Sequence, residues 1–312
     1  MSSDLPAAPS DRESEVSRES FELDKAGVRA AFDRASATYD AAAVLQARVG
    51  EELLSRLEPF QLRPRVVLDL GAGTGRVSAE LKRRYRRSLI VALDLAPGML
   101  REATRRQRPF RRFERVCADA ICLPLESASI DIVFSNLMLQ WCDPLDGALA
   151  EVRRVLKPGG FFAFSTFGPD TLKELRSAWA EADTCSHVNR FLDVHDVGDA
   201  LARAGLQEPV LDVDRPQLTY DDGISLMRDL KALGARNATA GRPRSLLGRD
   251  RLRRVLDAYE HFRQNGRLPA TYEVIYGAAW AGTERTSAER PATPGHGGEV
   301  RISPSQIRRR KC

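Results

Sequence analysis

The sequence predicts an α/β fold, a doubly wound and mostly parallel sheet with helices on both faces. Three observations predict it. Short apolar runs rich in β-branched residues alternate with helical segments between residues 60 and 170. The first of these runs, Val66–Leu70, passes directly into a glycine turn and then a helix. Polar residues stand at the ends of successive runs, at the sheet edge where such folds bind ligands.

The elements follow in order. Residues 25–57 carry a helical period, with Val28, Phe32 and Ala35 on one face and a break near Tyr39-Asp40. Pro59 and Pro64 bracket a linker. Val66–Leu70 reads as a buried parallel strand, and a helix follows over about 75–86. Strands at Leu89–Leu93, Val116–Ala118, Ile130–Ser135 and Phe161–Ser165 come next, with helices over 98–106 and 145–156. Lys157-Pro158-Gly159-Gly160 has the composition of a helix stop. The second half predicts a helix at Asp193–Ala204, a strand at Val210–Leu218, helices at 224–233 and 252–265, and a last strand at Thr271–Trp280. Strand, two helices, strand implies a helical lid over about 221–267, inserted between the last two strands.

Residues 1–22 and 283–312 lack a period and are rich in Pro, Gly, Ser and charge, so both are expected to be flexible tails around one domain at 23–282. No apolar run is long enough to span a bilayer, and the charged N-terminus has no apolar h-region. The five cysteines form no C-x-x-C pair, so neither zinc nor a disulfide framework is expected and a reducing cytoplasm fits. The net charge of +5 comes with arginine clusters at 82–87, 101–115 and 308–311. These suit either solvated helix faces or a surface for RNA or an acidic protein.

The motif with most chemistry is Asp69-Leu70-Gly71-Ala72-Gly73-Thr74-Gly75. In a dinucleotide fingerprint the third glycine comes one residue later, where this chain has Arg76. Asp69 in the loop would repel a pyrophosphate and favour a ligand bearing an ammonium group. The combination favours S-adenosylmethionine over NAD. Asp94 ends the second strand, where a carboxylate can accept from both ribose hydroxyls. Asp119-Ala120 follow the third strand, where the acid can accept from an adenine amino group, and Asn136 follows the fourth at the switch-point crevice.

These motifs resemble class I, Rossmann-like methyltransferases over about residues 60–170. The rest resembles the malonyl-acyl-carrier-protein O-methyltransferases of biotin synthesis. That resemblance rests on Phe32-Asp33-Arg34-Ala35, Tyr39-Asp40 and Gln46, on Asn136–Trp141, and on Ser165–Arg176. It continues through His187, Arg190–Asp193, His195–Leu201, Arg228–Asn237 and Leu268–Val274. Ala278 departs from it, standing where histidine is expected, which puts a catalytic role at that position in doubt. A sister group resembling a complex I assembly factor that hydroxylates an arginine shares several of these strings. That reading stays open from sequence, as does a methyltransferase for RNA or another small molecule.

The resemblance implies methylation of the free carboxylate of a malonyl thioester on acyl carrier protein, by a cytoplasmic monomer that binds no nucleic acid or membrane. It implies a cofactor set of Gln46, Asp69, Gly71, Gly73, Asp94, Met99, Asp119, Ala120 and Asn136. Such a site must grip a carboxylate. The candidates are Arg190, Arg228, Lys231 and Arg236, with His187 and Asn237 beside them. Tyr39 is a candidate to close over the cofactor or position the substrate. Trp141 and Phe167 read as cavity wall, and His195 as a helix cap.

Overall fold

The computed structural model describes residues 23–183, 189, 191–235 and 248–282. Both predicted tails therefore lie outside the described residues. Three helices come first: α1 (Lys25–Ala35), α2 (Tyr39–Ala42) and α3 (Val44–Ser55). Then β1 (Val66–Leu70), α4 (Arg76–Arg84), β2 (Leu89–Asp94), α5 (Pro97–Arg105) and β3 (Glu114–Cys117) alternate. The series continues with β4 (Ile130–Asn136), α6 (Leu145–Val155), β5 (Leu156–Phe167), α7 (Lys173–Ala182) and α8 (Val194–Arg203). It ends in β6 (Leu206–Asp214), β7 (Gln217–Tyr220), α9 (Gly223–Ala232), α10 (Arg249–Glu260), β8 (Leu268–Thr271) and β9 (Val274–Ala281).

Seven strands form one sheet in the order β3-β2-β1-β4-β5-β9-β6. β1 to β5 are parallel, and β9 runs antiparallel between β5 and β6. The order reverses between β1 and β4, which opens a crevice at their C-terminal ends. Alternating strand residues feed two cores. Val67, Ile90, Ile132 and Phe134 pack with Leu45, Val49 and Leu53 of α3 and Leu81 of α4. Leu68, Leu70, Val91 and Val133 pack with Leu149 and Val152 of α6 and with Val197 and Leu201 of α8. Burial on both faces explains why these strands read as continuous apolar runs rather than as alternating ones.

Several boundaries differ from the sequence reading. The 157–160 segment does not stop a helix in isolation; it belongs to the start of β5, with Gly159 at φ +70° absorbing the bend. The predicted last strand is β9, and β8, almost wholly ahead of its predicted start, was not foreseen. The predicted strand at 210–218 is split into β6 and β7. β7 pairs with β8 to make a small second sheet, so the insertion between β6 and β9 is not purely helical. Helix α7 was not foreseen. Its inward face is Leu175, Ala178, Trp179 and Ala182, and two alanines weaken the apolar signal of that face. The cap of α8 is Asp193, which accepts from the amides of His195 and Asp196, so His195 is not the cap.

The lid is fastened at its base by two buried acids. Glu174 accepts from the Thr271 amide at 3.1 Å and from the Thr271 hydroxyl. Glu273 accepts from the Asp170 amide at 2.8 Å and from Arg215 at 2.7 Å. Tyr259 of α10, fully buried, donates to the Pro269 carbonyl at 2.7 Å. Helix α9 lies against α2, and α10 packs on α7.

Candidate functional site

The glycine turn after β1 is shaped by its backbone. Gly71, Gly73 and Gly75 have φ of +80°, +53° and +75°, a region costly for a residue with a Cβ. At Gly71 there is also no room, since a Cβ would fall 2.2 Å from Cγ of Met138. The Gly71 and Ala72 amides donate to the Leu93 carbonyl at 2.8 and 2.9 Å. The Gly73 amide donates to Asp94 Oδ2 at 2.8 Å, and the Ala96 amide to Oδ1 at 2.8 Å. Asp94 therefore ties the turn to the start of α5, and burial holds its carboxyl above the usual range.

The other strand-end residues are held as firmly. Asp119 accepts from the Ile121 amide at 3.1 Å and from Lys25 Nζ at 3.3 Å. Asn136 donates to the Gln46 carbonyl at 3.0 Å and accepts from the Ser165 hydroxyl at 2.8 Å. Thr74 donates to Asp40 at 2.7 Å. The Tyr39 hydroxyl makes no hydrogen bond among the described residues. Burial, with Asp94 and Asp40 nearby, raises its pKa, so the phenol stays protonated at neutral pH.

Most of these groups line one open cleft at the switch point, of about 1000 Å³ with the solvent at its mouth included. Tyr39, Gln46, Gly71, Gly73, Asp94, Met99, Asp119, Ala120 and Asn136 all line it. It continues under the lid as an apolar arm walled by Trp141, Phe167, Phe191, Leu230, Leu233 and Tyr272. Phe32 packs edge-on against Trp141 with ring centroids 5.2 Å apart, and Phe167 sits 5.7 Å from both Phe191 and Tyr272.

Asp69 does not line this cavity. It is 1% exposed beneath the turn, where it accepts from the Ser78 hydroxyl and borders a smaller adjoining space. The expectation that it projects into the loop is corrected in that respect: on β1 its side chain alternates to the face that α4 covers. Burial pushes its carboxyl up to about 7, with Asp94 adding to the rise. A sign follows. Between the unfolded value near 4 and about 7, the folded chain holds a proton that the unfolded chain lacks, so stability falls as pH rises through that window. Roughly three pH units correspond to an upper bound of about 4 kcal/mol. Denaturant unfolding at pH 5 and pH 8 should show this loss in the cofactor-free protein and a flatter profile in Asp69→Asn. Equal slopes would mean that Asp69 titrates normally.

The lid cations are placed differently from expectation. Arg228 and Lys231 are exposed and line neither the cavity nor its arm. Leu226, Leu230 and Leu233 recur at helical spacing and turn inward, which leaves the intervening charges outside. Arg236, Asn237, His187 and Arg190 lie outside the described residues. Among the described residues the cations on the cavity wall are instead Lys25 and Arg29 of α1. Sequence reasoning missed them, although Lys25, Val28, Arg29 and Phe32 share a helical face and all four line the cavity. Ala278 pairs with Ala163 in mid-sheet, well below the strand ends, and lines none of these spaces. Among the described residues no group of His, Cys, Asp and Glu could hold a metal ion.

The residues fit S-adenosylmethionine. Oε1 of Gln46 is buried with no partner at the junction of the cavity and its arm, an acceptor awaiting a donor. Gly71 gives a close approach to backbone, and three acidic or amide strand ends supply further acceptors.

Comparison with known proteins agrees. A family profile described as a methyltransferase domain matches residues 68–164. A malonyl-acyl-carrier-protein O-methyltransferase from Methylovorus sp. is 52% identical over 285 residues, covering 89% of this chain and 96% of the relative. A protein of the same name from Halorhodospira halophila is 50% identical over 293 residues, covering 93% and 97%. Among solved structures, the YcgJ protein of Bacillus subtilis has a TM-score of 0.55 at 17% identity, covering 74% of this chain and 98% of that one. That likeness is one of fold. The predicted doubly wound fold and the family resemblance are both borne out.

Proposed function

The chain belongs to the malonyl-acyl-carrier-protein O-methyltransferase family, an S-adenosylmethionine-dependent one, and on that premise we propose that it methylates the free carboxylate of a malonyl thioester on acyl carrier protein. The step would stand early in biotin synthesis, in the cytoplasm. No described helix is long and apolar enough to cross a membrane. The observation that carries the reading is that identity near 50% is kept over 89% and 93% of this chain, so the alignments leave out less than the length of the lid. Relatives at 47–53% identity over most of the chain share that one name, so the assembly-factor and RNA readings are not favoured.

S-adenosylmethionine, when bound, supplies an electrophilic methyl group on a positively charged sulfur. The chain's residues bind and orient. Asp94, Asp119, Asn136 and the backbone of Gly71 and Gly73 would hold the nucleoside, with Met99 and Ala120 as its apolar wall. Gln46 Oε1 would accept from the amino-acid portion. A carboxylic acid with pKa about 4 is already ionised at pH 7, so no general base is needed. Tyr39, protonated at this pH, acts as a donor beside the reacting groups and not as a base. Trp141, Phe167 and Tyr272 keep water from the apolar arm, which would take the thioester chain.

The test is direct. Purified chain is incubated with malonyl-acyl carrier protein and methyl-labelled S-adenosylmethionine. Label should appear in a base-labile ester on the malonyl group and not on the carrier polypeptide. Absence of that ester, with intact cofactor binding, overturns the substrate assignment.

A further inference from the structure

The arginine cluster between α5 and β3 contains a feature that the catalytic reading does not use. Arg108, Pro109, Phe110 and Arg111 form a tight turn closed by a 3.0 Å bond from the Arg111 amide to the Arg108 carbonyl. Proline second and a left-handed residue third is the pattern of a type II turn, whose third position favours glycine. That position holds Phe110, at φ +63° and 100% exposed. Backbone and solvent both disfavour a phenylalanine here. Its neighbour Phe113 does the packing, 3% exposed beneath the turn. None of Arg108, Arg111 and Arg112 forms an ion pair with a described residue. An aromatic side chain held outward among guanidinium groups that pair with no described residue has the composition of an interface anchor with a steering rim.

Arg106, just before the turn, reaches the loops beside the cavity. Gln107 donates to the Phe113 carbonyl at 2.7 Å, which fixes the turn's base. Arg106 donates to the Thr74 carbonyl at 3.0 Å and to the carboxylate of Asp40, the neighbour of cavity-lining Tyr39. Arg101 of α5 faces Asp33 of α1 at 3.8 Å, so the basic strip runs toward Lys25 and Arg29 on the cavity wall.

We propose that the Arg108–Arg112 turn is the docking site for the acidic carrier protein that presents the acyl thioester, with Phe110 as its apolar anchor and Arg108, Arg111 and Arg112 pairing with carboxylates. The proposal rests on the substrate reading above for the identity of the partner. An acidic partner is favoured over RNA because a lone exposed aromatic at a turn tip offers one contact, not a stacking platform along a groove.

Phe110→Gly is the sharpest test, because it suits the turn's backbone and removes only the anchor. Binding of acyl carrier protein to the full chain is read by fluorescence anisotropy, alongside KM and kcat with malonyl-acyl carrier protein. Phe110→Gly should weaken binding and raise KM about tenfold or more, with kcat and the affinity for S-adenosylhomocysteine unchanged. The Arg108→Glu, Arg112→Glu double variant should do the same at low salt, with a smaller loss at high salt. Wild-type carrier affinity in both variants overturns the proposal. So does loss of binding to a mixed-sequence RNA oligonucleotide with carrier binding intact. If wild type binds the carrier but forms no ester, the substrate reading fails while the binding comparison still decides the docking site.

Discussion

Asp94→Ala is expected to lower the affinity for S-adenosylmethionine about a hundredfold while the chain stays folded. Two effects add. The carboxylate is a charged acceptor at the end of β2, and each hydrogen bond to a charged group contributes about 1.5–3 kcal/mol when a ligand donor meets it. The same carboxylate holds the Gly73 amide at 2.8 Å and the Ala96 amide at 2.8 Å, so alanine also frees the glycine turn from α5. A combined loss of about 3 kcal/mol corresponds to roughly a hundredfold in the dissociation constant. Asp94→Asn separates the two effects only in part, since its amide group must face one of those donors with a donor of its own. Calorimetry with S-adenosylhomocysteine gives the affinity, and circular dichroism reports the fold. Undiminished affinity in Asp94→Ala would remove that residue from the site.

Much of this site was legible because parallel strands bury both faces and place their C-terminal residues at one edge. Val66–Leu70 was read with its observed limits, and Asp94, Asp119 and Asn136 do converge on one cavity. The misreadings have separate physical causes. Helix α7 hides its inward face behind Ala178 and Ala182, which contribute little hydrophobic contrast. Strand β7 was joined to β6 because Arg215-Pro216 is a connection of only two residues, and β8 was missed because its four residues include Pro269, which argues against a strand. Asp69 was aimed correctly along the chain but not around the strand axis. A shift of one residue on a strand exchanges the two faces, and no turn signal fixes which face meets the ligand.

The lid shows the same limit on a helix. Arg228-Asp229-Leu230-Lys231 marks the segment, but which residues meet the substrate depends on rotation about the helix axis. That rotation is set by Leu226, Leu230 and Leu233, which bury against the body and carry Arg228 and Lys231 outward. A motif can therefore identify an element without identifying the side chains that act. The carboxylate grip must be sought on whatever wall carries cations, and among the described residues that wall is α1.

Arg29 is accordingly the residue whose loss should most impair substrate selection. Lys25 is engaged with Asp119 at 3.3 Å, whereas Arg29 makes no ion pair with a described residue and lines the cavity one helical turn from Phe32. A guanidinium can meet both oxygens of a carboxylate at once, and such charge-assisted pairs are about twice as strong as neutral hydrogen bonds. Arg29→Ala should therefore lower kcat/KM for malonyl-acyl carrier protein by about thirtyfold, roughly 2 kcal/mol. The affinity for S-adenosylhomocysteine should not change. Arg29→Lys should recover part of the loss, because charge is kept and the fork is not. The preference for a malonyl over a neutral acyl thioester as competing ligand should collapse in Arg29→Ala at every salt concentration. Arg228→Ala and Lys231→Ala should instead cost a few-fold at most, and that cost should vanish as salt screens exposed charges beyond about 8–10 Å. The opposite pattern, with Lys231→Ala losing discrimination and Arg29→Ala keeping it, would return the carboxylate grip to the lid and require α9 to rotate when substrate binds.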